Sequence, residues 1–203
     1  RYASQRGCHV VEDDYENEIR FSGLPIPALQ GLAPDRVLYV GSFSKILSPS
    51  LRLGYLAVPP DLAPRARRLK YDLDNHSPTL EQLLLADLLD RGLLERHVAS
   101  LRGLYRRRRD ALCAALAKAF PGTHRILGAS AGLHLVASFP GRRFTPELLA
   151  RCEAEGVRVT CVEAHALVPG EHLHELVLGY GNLSEDRLAE GIRRLARALP
   201  PLP

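Results

Sequence analysis

Methionine and tryptophan are absent from the 203 residues, and aromatic side chains make up only 6% of them. The chain opens on Arg1, so the sequence reads as a processed chain or a fragment. There is no run of about 18 apolar residues, the length a helix needs to cross a bilayer. The N-terminus carries no charged-then-apolar leader. These two absences direct the expectation away from the membrane and from secretion, towards a soluble, cytoplasmic protein. Cysteine is scarce: Cys8, Cys113, Cys152 and Cys161 stand far apart without a C-x-x-C pair. That spacing argues against a disulfide framework or a four-cysteine zinc site and for buried or idle thiols. Cys161, His165, His172 and His174 match no common zinc spacing, so no metal is expected. Neither sign of charge dominates, with 27 Lys and Arg against 23 Asp and Glu giving +4. Such a balance hints at anionic ligands without demanding nucleic acid.

The 46% of apolar residues suffices for one large core or two small ones. Residues 1–7 read as the tail of a helix closed by Gly7, and Cys8–Glu12 as a strand. Residues 20–35, with Gly23, Pro25, Pro27, Gly31 and Pro34, predict an irregular connection before a strand at 37–41. Another strand is expected at 54–58, then a basic helix over 61–71. Ser77 and Pro78 predict the cap and first residue of a helix whose Leu80, Leu83, Leu84 and Leu88 form a buried face. Gly92 precedes a long helix with Leu101, Leu104, Leu112, Ala115, Leu116 and Ala119 at helical spacing, ending at Phe120-Pro121-Gly122. The order then alternates: strand 132–138, helix 146–155, strands 157–161 and 174–180, and a helix over 185–199. Ser184 reads as its cap and Leu188, Ile192, Leu195 and Leu199 as its buried stripe. The run Arg106 to Arg109 is spread around the long helix and predicts a solvated or salt-bridged face rather than a DNA-reading stripe.

The most informative stretch is Ser42-Phe43-Ser44-Lys45, continuing through Pro49 to Arg52-Leu53-Gly54-Tyr55. Apolar runs flank it, so a lysine stands on a turn between two strands, with two hydroxyls and a guanidinium nearby. This is the chemistry of an anion site beside an amine able to form an imine. Asp13 and Asp14 end the preceding strand, at the edge where open α/β sheets gather their ligands. Adjacent residues on a strand point opposite ways, so only one of the two carboxylates can face a ligand.

This ordered set, S-x-S-K-x-x-x-P-x-x-R-x-G-aromatic after Glu12-Asp13-Asp14-Tyr15, resembles the fold-type I, class I/II aminotransferases. Within them it is most similar to the aminotransferase-like domain of MocR-subfamily regulators of the GntR type. Ser77 to Gln82, Tyr105 to Asp110 and Ala131 to Leu135 extend the likeness along nearly the whole chain. The resemblance implies an α/β fold, with residues 1–103 as the C-terminal part of a large PLP-binding domain and 104–203 as a small α/β domain with its bridging helix. It implies pyridoxal 5′-phosphate (PLP) attached to Lys45, with Asp13 (Asp14 being the neighbouring alternative) at the pyridine nitrogen and Tyr15 at the ring hydroxyl. Tyr15 follows the aspartate by two residues, where many aminotransferases have three. Ser42, Ser44 and Arg52 become the phosphate ligands. The expected function is effector sensing in a MocR-type regulator, with a working aminotransferase and a purely structural or dimerisation fragment as alternatives. The implied partners are an amino compound or amino acid, a second copy in the full-length protein, and DNA through an N-terminal domain outside this chain. Val177 stands where aminotransferases of this fold carry an arginine for the substrate carboxylate. Arg142, Arg143 and Arg158 are the possible substitutes.

Overall fold

The computed structural model describes residues 1–23 and 26–200, so Pro25 of the expected irregular connection lies outside them. The chain divides into two compact units, one of Arg1–Glu18 and Gly23–Ser100, the other of Ile19–Ser22 and Leu101–Pro203.

In the first unit α1 (Tyr2–Arg6) closes on Gly7, whose φ of 65° lets its N–H reach the Ala3 carbonyl. A three-stranded sheet follows, in the order β1 (Val10–Asp14), β2 (Val37–Ser42), β3 (Gly54–Ala57). β1 and β2 run parallel and β3 antiparallel to β2. Between β1 and β2 a short helix, α2 (Leu29–Leu32), forms where an irregular connection is expected. Its cause is remote in sequence: the Glu12 carboxylate accepts the N–H groups of Leu29 and Gln30 at 2.9 and 3.0 Å. A negative charge thereby satisfies free amides at a helix start.

α3 (Ala63–Asp74) and α4 (Thr79–Asp90) complete this unit, together with the beginning of α5 (Leu93–Ala119). Two expectations about α4 are corrected. Pro78, not Ser77, occupies the cap position, and no side chain caps the helix. The Ser77 hydroxyl instead accepts from the Lys70 ammonium at 2.6 Å. Leu80, Leu83 and Leu84 are 77%, 63% and 50% exposed. A leucine stripe encodes an apolar face, but burial requires a partner that the unit does not supply.

The second unit begins within α5, which is preceded by Gly92 at φ 60°. Its sheet has the order β4-β5-β7-β6, antiparallel throughout. The strands are β4 (Arg125–Leu127), β5 (His134–Ser138), β6 (Thr160–Cys161) and β7 (Glu175–Gly179). β4 is unexpected, and β6 covers only the last two residues of the anticipated strand. Thr145 caps α6 (Pro146–Ala154) by accepting the Leu148 N–H at 3.4 Å. Ser184 holds the cap position of α7 (Glu185–Ala198) without a side-chain bond to the helix. Leu188, Ile192, Leu195 and Leu199 of and after α7 are buried as their spacing predicts.

The segment Ile19–Ser22 belongs to this second unit through backbone bonds: Phe21 N–H to the Ser130 carbonyl and Gly132 N–H to the Ile19 carbonyl, at 2.9 and 2.8 Å. The arginine run stitches the unit together. Arg106 donates to the Phe21 carbonyl at 3.3 Å, Arg108 to that of Gly181, and Arg109 to that of Ala129 at 3.1 Å. Arg109 also lies 4.7 Å over the Phe21 ring, and Arg107 pairs with Glu185 at 3.6 Å.

Tyr180, fully buried, donates its O–H to the Gly132 carbonyl at 2.7 Å. Tyr180→Phe should lower the unfolding free energy by about 1–3 kcal/mol, measured by urea titration. An unchanged midpoint would show that the carbonyl finds another donor.

Candidate functional site

Because β1 and β2 are parallel, their C-terminal ends meet at one edge of the sheet, with Asp13 beside Val40 and Asp14 beside Gly41. The lysine turn leaves from that edge. The Leu47 N–H bonds the Phe43 carbonyl at 2.8 Å, and the Phe43 N–H bonds the Leu53 carbonyl at 3.2 Å. Ile46 and Leu53 are buried and fasten the turn to the core, while Lys45, next to Ile46, is exposed. Burial of these two apolar anchors leaves the amine as the group on display.

The serines divide their work. The Ser42 oxygen accepts the Ser44 N–H at 3.2 Å, the local bond usual for turn hydroxyls, and its own O–H stays available as a donor. The Ser48 oxygen accepts the Ser50 N–H at 3.2 Å and starts a short 3₁₀ turn over Pro49–Leu51. Arg52 then adopts φ 50° and ψ 34°, a left-handed conformation that costs a long side chain energy and is concentrated at functional sites. It lines a cleft of about 520 Å³ with Phe43, Tyr55, Lys70, Ser77 and Gln82. Lys45 and Asp13 do not line this cleft.

On β1 the alternation of a strand sorts the acids. Val11 and Asp13 are exposed on one face, and Glu12 and Asp14 are half-buried on the other. Glu12 is occupied with α2. Asp14 accepts the Asn17 N–H at 3.1 Å and the Tyr39 O–H at 2.8 Å. Asp13 is the exposed member of the three, and Tyr15 beyond it is 43% exposed. Burial first, and then donation to Asp14, push the Tyr39 phenol well above the ordinary tyrosine range, with Tyr55 adding to the effect. The Tyr55 ring sits 5.8 Å from that of Tyr39 and 5.5 Å from that of Phe43. Gly41 makes room for it, since a Cβ there would lie 2.3 Å from the ring. Gly54 is equally constrained, as its Cβ would lie 2.9 Å from the Gly41 carbonyl oxygen. Tyr39, Tyr55 and Gly41 were not legible as site residues, because an aromatic on a strand reads as core until its register partner is known.

In the second unit Val177 lies mid-strand, paired with Val136 on β5 and Thr160 on β6. Of the three arginines expected to substitute for one at 177, Arg158 pairs with Glu153 at 3.0 Å and Arg143 is exposed. Arg142 is buried with its Nε unpartnered, and desolvation lowers its pKa. All four cysteines are free thiols, with Cys152 and Cys161 buried. His172 pairs with Glu175 at 2.8 Å, and among the described residues no three His, Cys, Asp or Glu form a metal cluster.

One displayed amine, one carboxylate on an open face, two hydroxyls and a guanidinium thus occupy the strand ends and the turn beside them. An amine for an aldehyde, a carboxylate for a ring nitrogen, and hydroxyls with a guanidinium for a phosphate are groups that could hold PLP. A neutral phenol favoured in the fold contributes stability in full below the ordinary tyrosine range, about pH 10, and loses it as pH rises through the raised value. In an alkaline titration followed by phenolate absorbance, Tyr39 should therefore ionise above the ordinary tyrosine range. Tyr39→Phe should reduce the late phase by one phenolate; an unchanged late phase would assign it to other residues.

Comparison with known proteins gives this arrangement its relatives. The family model for aminotransferase class I and II matches residues 3–171. The uncharacterized HTH-type transcriptional regulator YhdI of Bacillus subtilis is 35% identical over 99% of this chain and 43% of its own length. MocR of Rhizobium meliloti, named as a probable rhizopine catabolism regulatory protein, is 35% identical over 93% of this chain and 38% of its own. The crystal structure of LysN, an α-aminoadipate aminotransferase of Thermus thermophilus complexed with N-(5′-phosphopyridoxyl)-L-leucine, superposes with a TM-score of 0.86. It is 31% identical over 97% of this chain and 51% of that one. The chain therefore spans about half or less of the length of the relatives it matches. The fold is that of the fold-type I PLP enzymes, and the chain belongs to the class I and II aminotransferase family.

Proposed function

We propose that this chain supplies the lysine-bearing part of a PLP site in a MocR-type transcription regulator, where the bound cofactor senses an amino compound. The observation that carries the reading is the display of Lys45 on a core-anchored turn beside the strand end that bears Asp13. PLP, when bound, supplies an aldehyde that captures amines and a ring that withdraws electrons from them.

In this reading Lys45 would hold the cofactor aldehyde through its side-chain amine. Asp13 holds the proton on the ring nitrogen, because a carboxylate beside that nitrogen favours its charged form. Tyr15 donates its phenol to the ring hydroxyl. Ser42 and Ser44 give directional bonds to the phosphate, and the Arg52 guanidinium can grip it with two. Regulation then acts on a cytoplasmic homodimer, with DNA bound by a domain N-terminal to these residues. Similarity to both YhdI and MocR over more than nine-tenths of the chain supports the regulatory assignment.

Similarity to LysN supports a second reading, a working aminotransferase. Val177 separates the two. A carboxylate entering without a guanidinium lacks charge-assisted hydrogen bonds worth about 1.5–3 kcal/mol each, and the reacting carbon is then poorly oriented. The complete protein should bind amines yet form keto acids from ordinary α-amino acids slowly in single-turnover assays. Val177→Arg should accelerate that conversion. Fast conversion by the unsubstituted protein would place the enzyme reading first.

Attachment itself is tested by borohydride reduction of the PLP-treated complete protein and peptide mapping. The pyridoxyl adduct is expected on Lys45. An adduct on Lys70 or Lys118 instead would overturn the assignment.

A further inference from the structure

We infer that Tyr39 and Asp14 are positioning residues of the cofactor site, holding the Asp13-bearing strand end and the Lys45 turn in fixed relation from the reverse face of the sheet. The inference rests on the PLP reading and adds residues that neither the lysine motif nor the acidic strand end identifies.

The backbone ladder between β1 and β2 stops at Asp14 and Gly41. Everything assigned to the cofactor, apart from Asp13, lies beyond that last rung. A strand end frays unless side chains extend the pairing. Here they do, diagonally: Tyr39 is opposite Glu12 in register, yet its O–H reaches two residues further, to Asp14 at 2.8 Å. The other Asp14 oxygen takes the Asn17 N–H at 3.1 Å and so fixes the turn through which the chain leaves the strand. Asp13 and Tyr15 flank Asp14 and follow its placement.

The second half of the connection runs through rings. Tyr55 lies against Tyr39 on one side and Phe43, the first residue of the lysine turn, on the other. Gly41 keeps the space between them open. Residues 12, 14, 39, 41 and 55 share one face by alternation and register, opposite that of Asp13, so the Tyr39–Asp14 bond acts on Asp13 through the strand backbone. Tyr55 carries the connection to Phe43 and, with it, to the cleft that Arg52 lines. The raised pKa of Tyr39 keeps the phenol a donor across the whole neutral range.

The test uses the complete protein loaded with PLP and three variants, Tyr39→Phe, Asp14→Asn and the double substitution. Tyr39→Phe keeps the ring and its stacking and removes only the hydroxyl. Two readouts are taken: PLP affinity, and the visible circular dichroism of the lysine-linked cofactor, which reports how the ring is held. Tyr39→Phe should weaken PLP binding about tenfold, the equivalent of one lost hydrogen bond to a charged group, and reduce the dichroic amplitude. The double variant should be no worse than the poorer single one, because both act through one bond. A visible band of unchanged dichroism and affinity in Tyr39→Phe, even with a lowered melting temperature, would reduce the pair to a fold-stabilising role and overturn the inference alone. Additive losses in the double variant would also overturn it. Failure of the unsubstituted protein to form any lysine-linked band would overturn the PLP reading and this inference with it.

Discussion

The two-residue period of β1 is the constraint on which the candidate site depends. Three consecutive acids end that strand, and pleating sends Glu12 and Asp14 to one face and Asp13 to the other. On the reverse face each acid is saturated: Glu12 holds two amides at the start of α2, and Asp14 holds Tyr39 and Asn17. A half-buried carboxylate needs such partners to offset its lost hydration. Asp13 stays in contact with solvent, where a charge keeps its hydration and is available to a ligand. A slip of one residue in register would exchange these roles.

The lysine turn depends on a different constraint, that of space. Gly41 and Gly54 leave no side chain where β2 and β3 converge, so Tyr55 can lie across the strand and the chain can reverse tightly. Ile46 and Leu53 supply the hydrophobic anchorage, and Arg52 carries the backbone strain. Strain of this kind persists only where the surroundings over-determine the conformation. Here the buried Leu53 and the backbone bond from Phe43 to the Leu53 carbonyl do so.

The second unit shows how a charge run can be structural. Arg106, Arg108 and Arg109 donate to backbone carbonyls outside the long helix, at Phe21, Gly181 and Ala129. Guanidinium groups suit this task because they are planar, always charged and more weakly hydrated than ammonium. Leu135 and Leu178 pair on the buried face of its sheet, whereas Val177 is half-buried on the other face between Val136 and the exposed Thr160, a row that leaves a longer side chain at position 177 a path to solvent.

The sequence by itself determined the order of the longer elements, though not α2 or β4, the lysine turn with its serines and arginine, and the buried stripe of α7, because each is written in local spacing. Helical and strand periods and glycine at positive φ are short-range signals. The sequence also narrowed the acidic strand end to Asp13 or Asp14. What only the tertiary structure decided were the effects that join distant positions. These are α2 capped by an acid seventeen residues away, the exposure of the α4 leucines, the attachment of Ile19–Ser22 to the second unit, and the Asp14–Tyr39 bond that leaves Asp13 as the exposed acid. A hydroxyl or carboxylate states in sequence that it can bond, but not with whom. The partner is chosen by strand register and by which faces the fold brings together, and neither is a property of neighbouring residues.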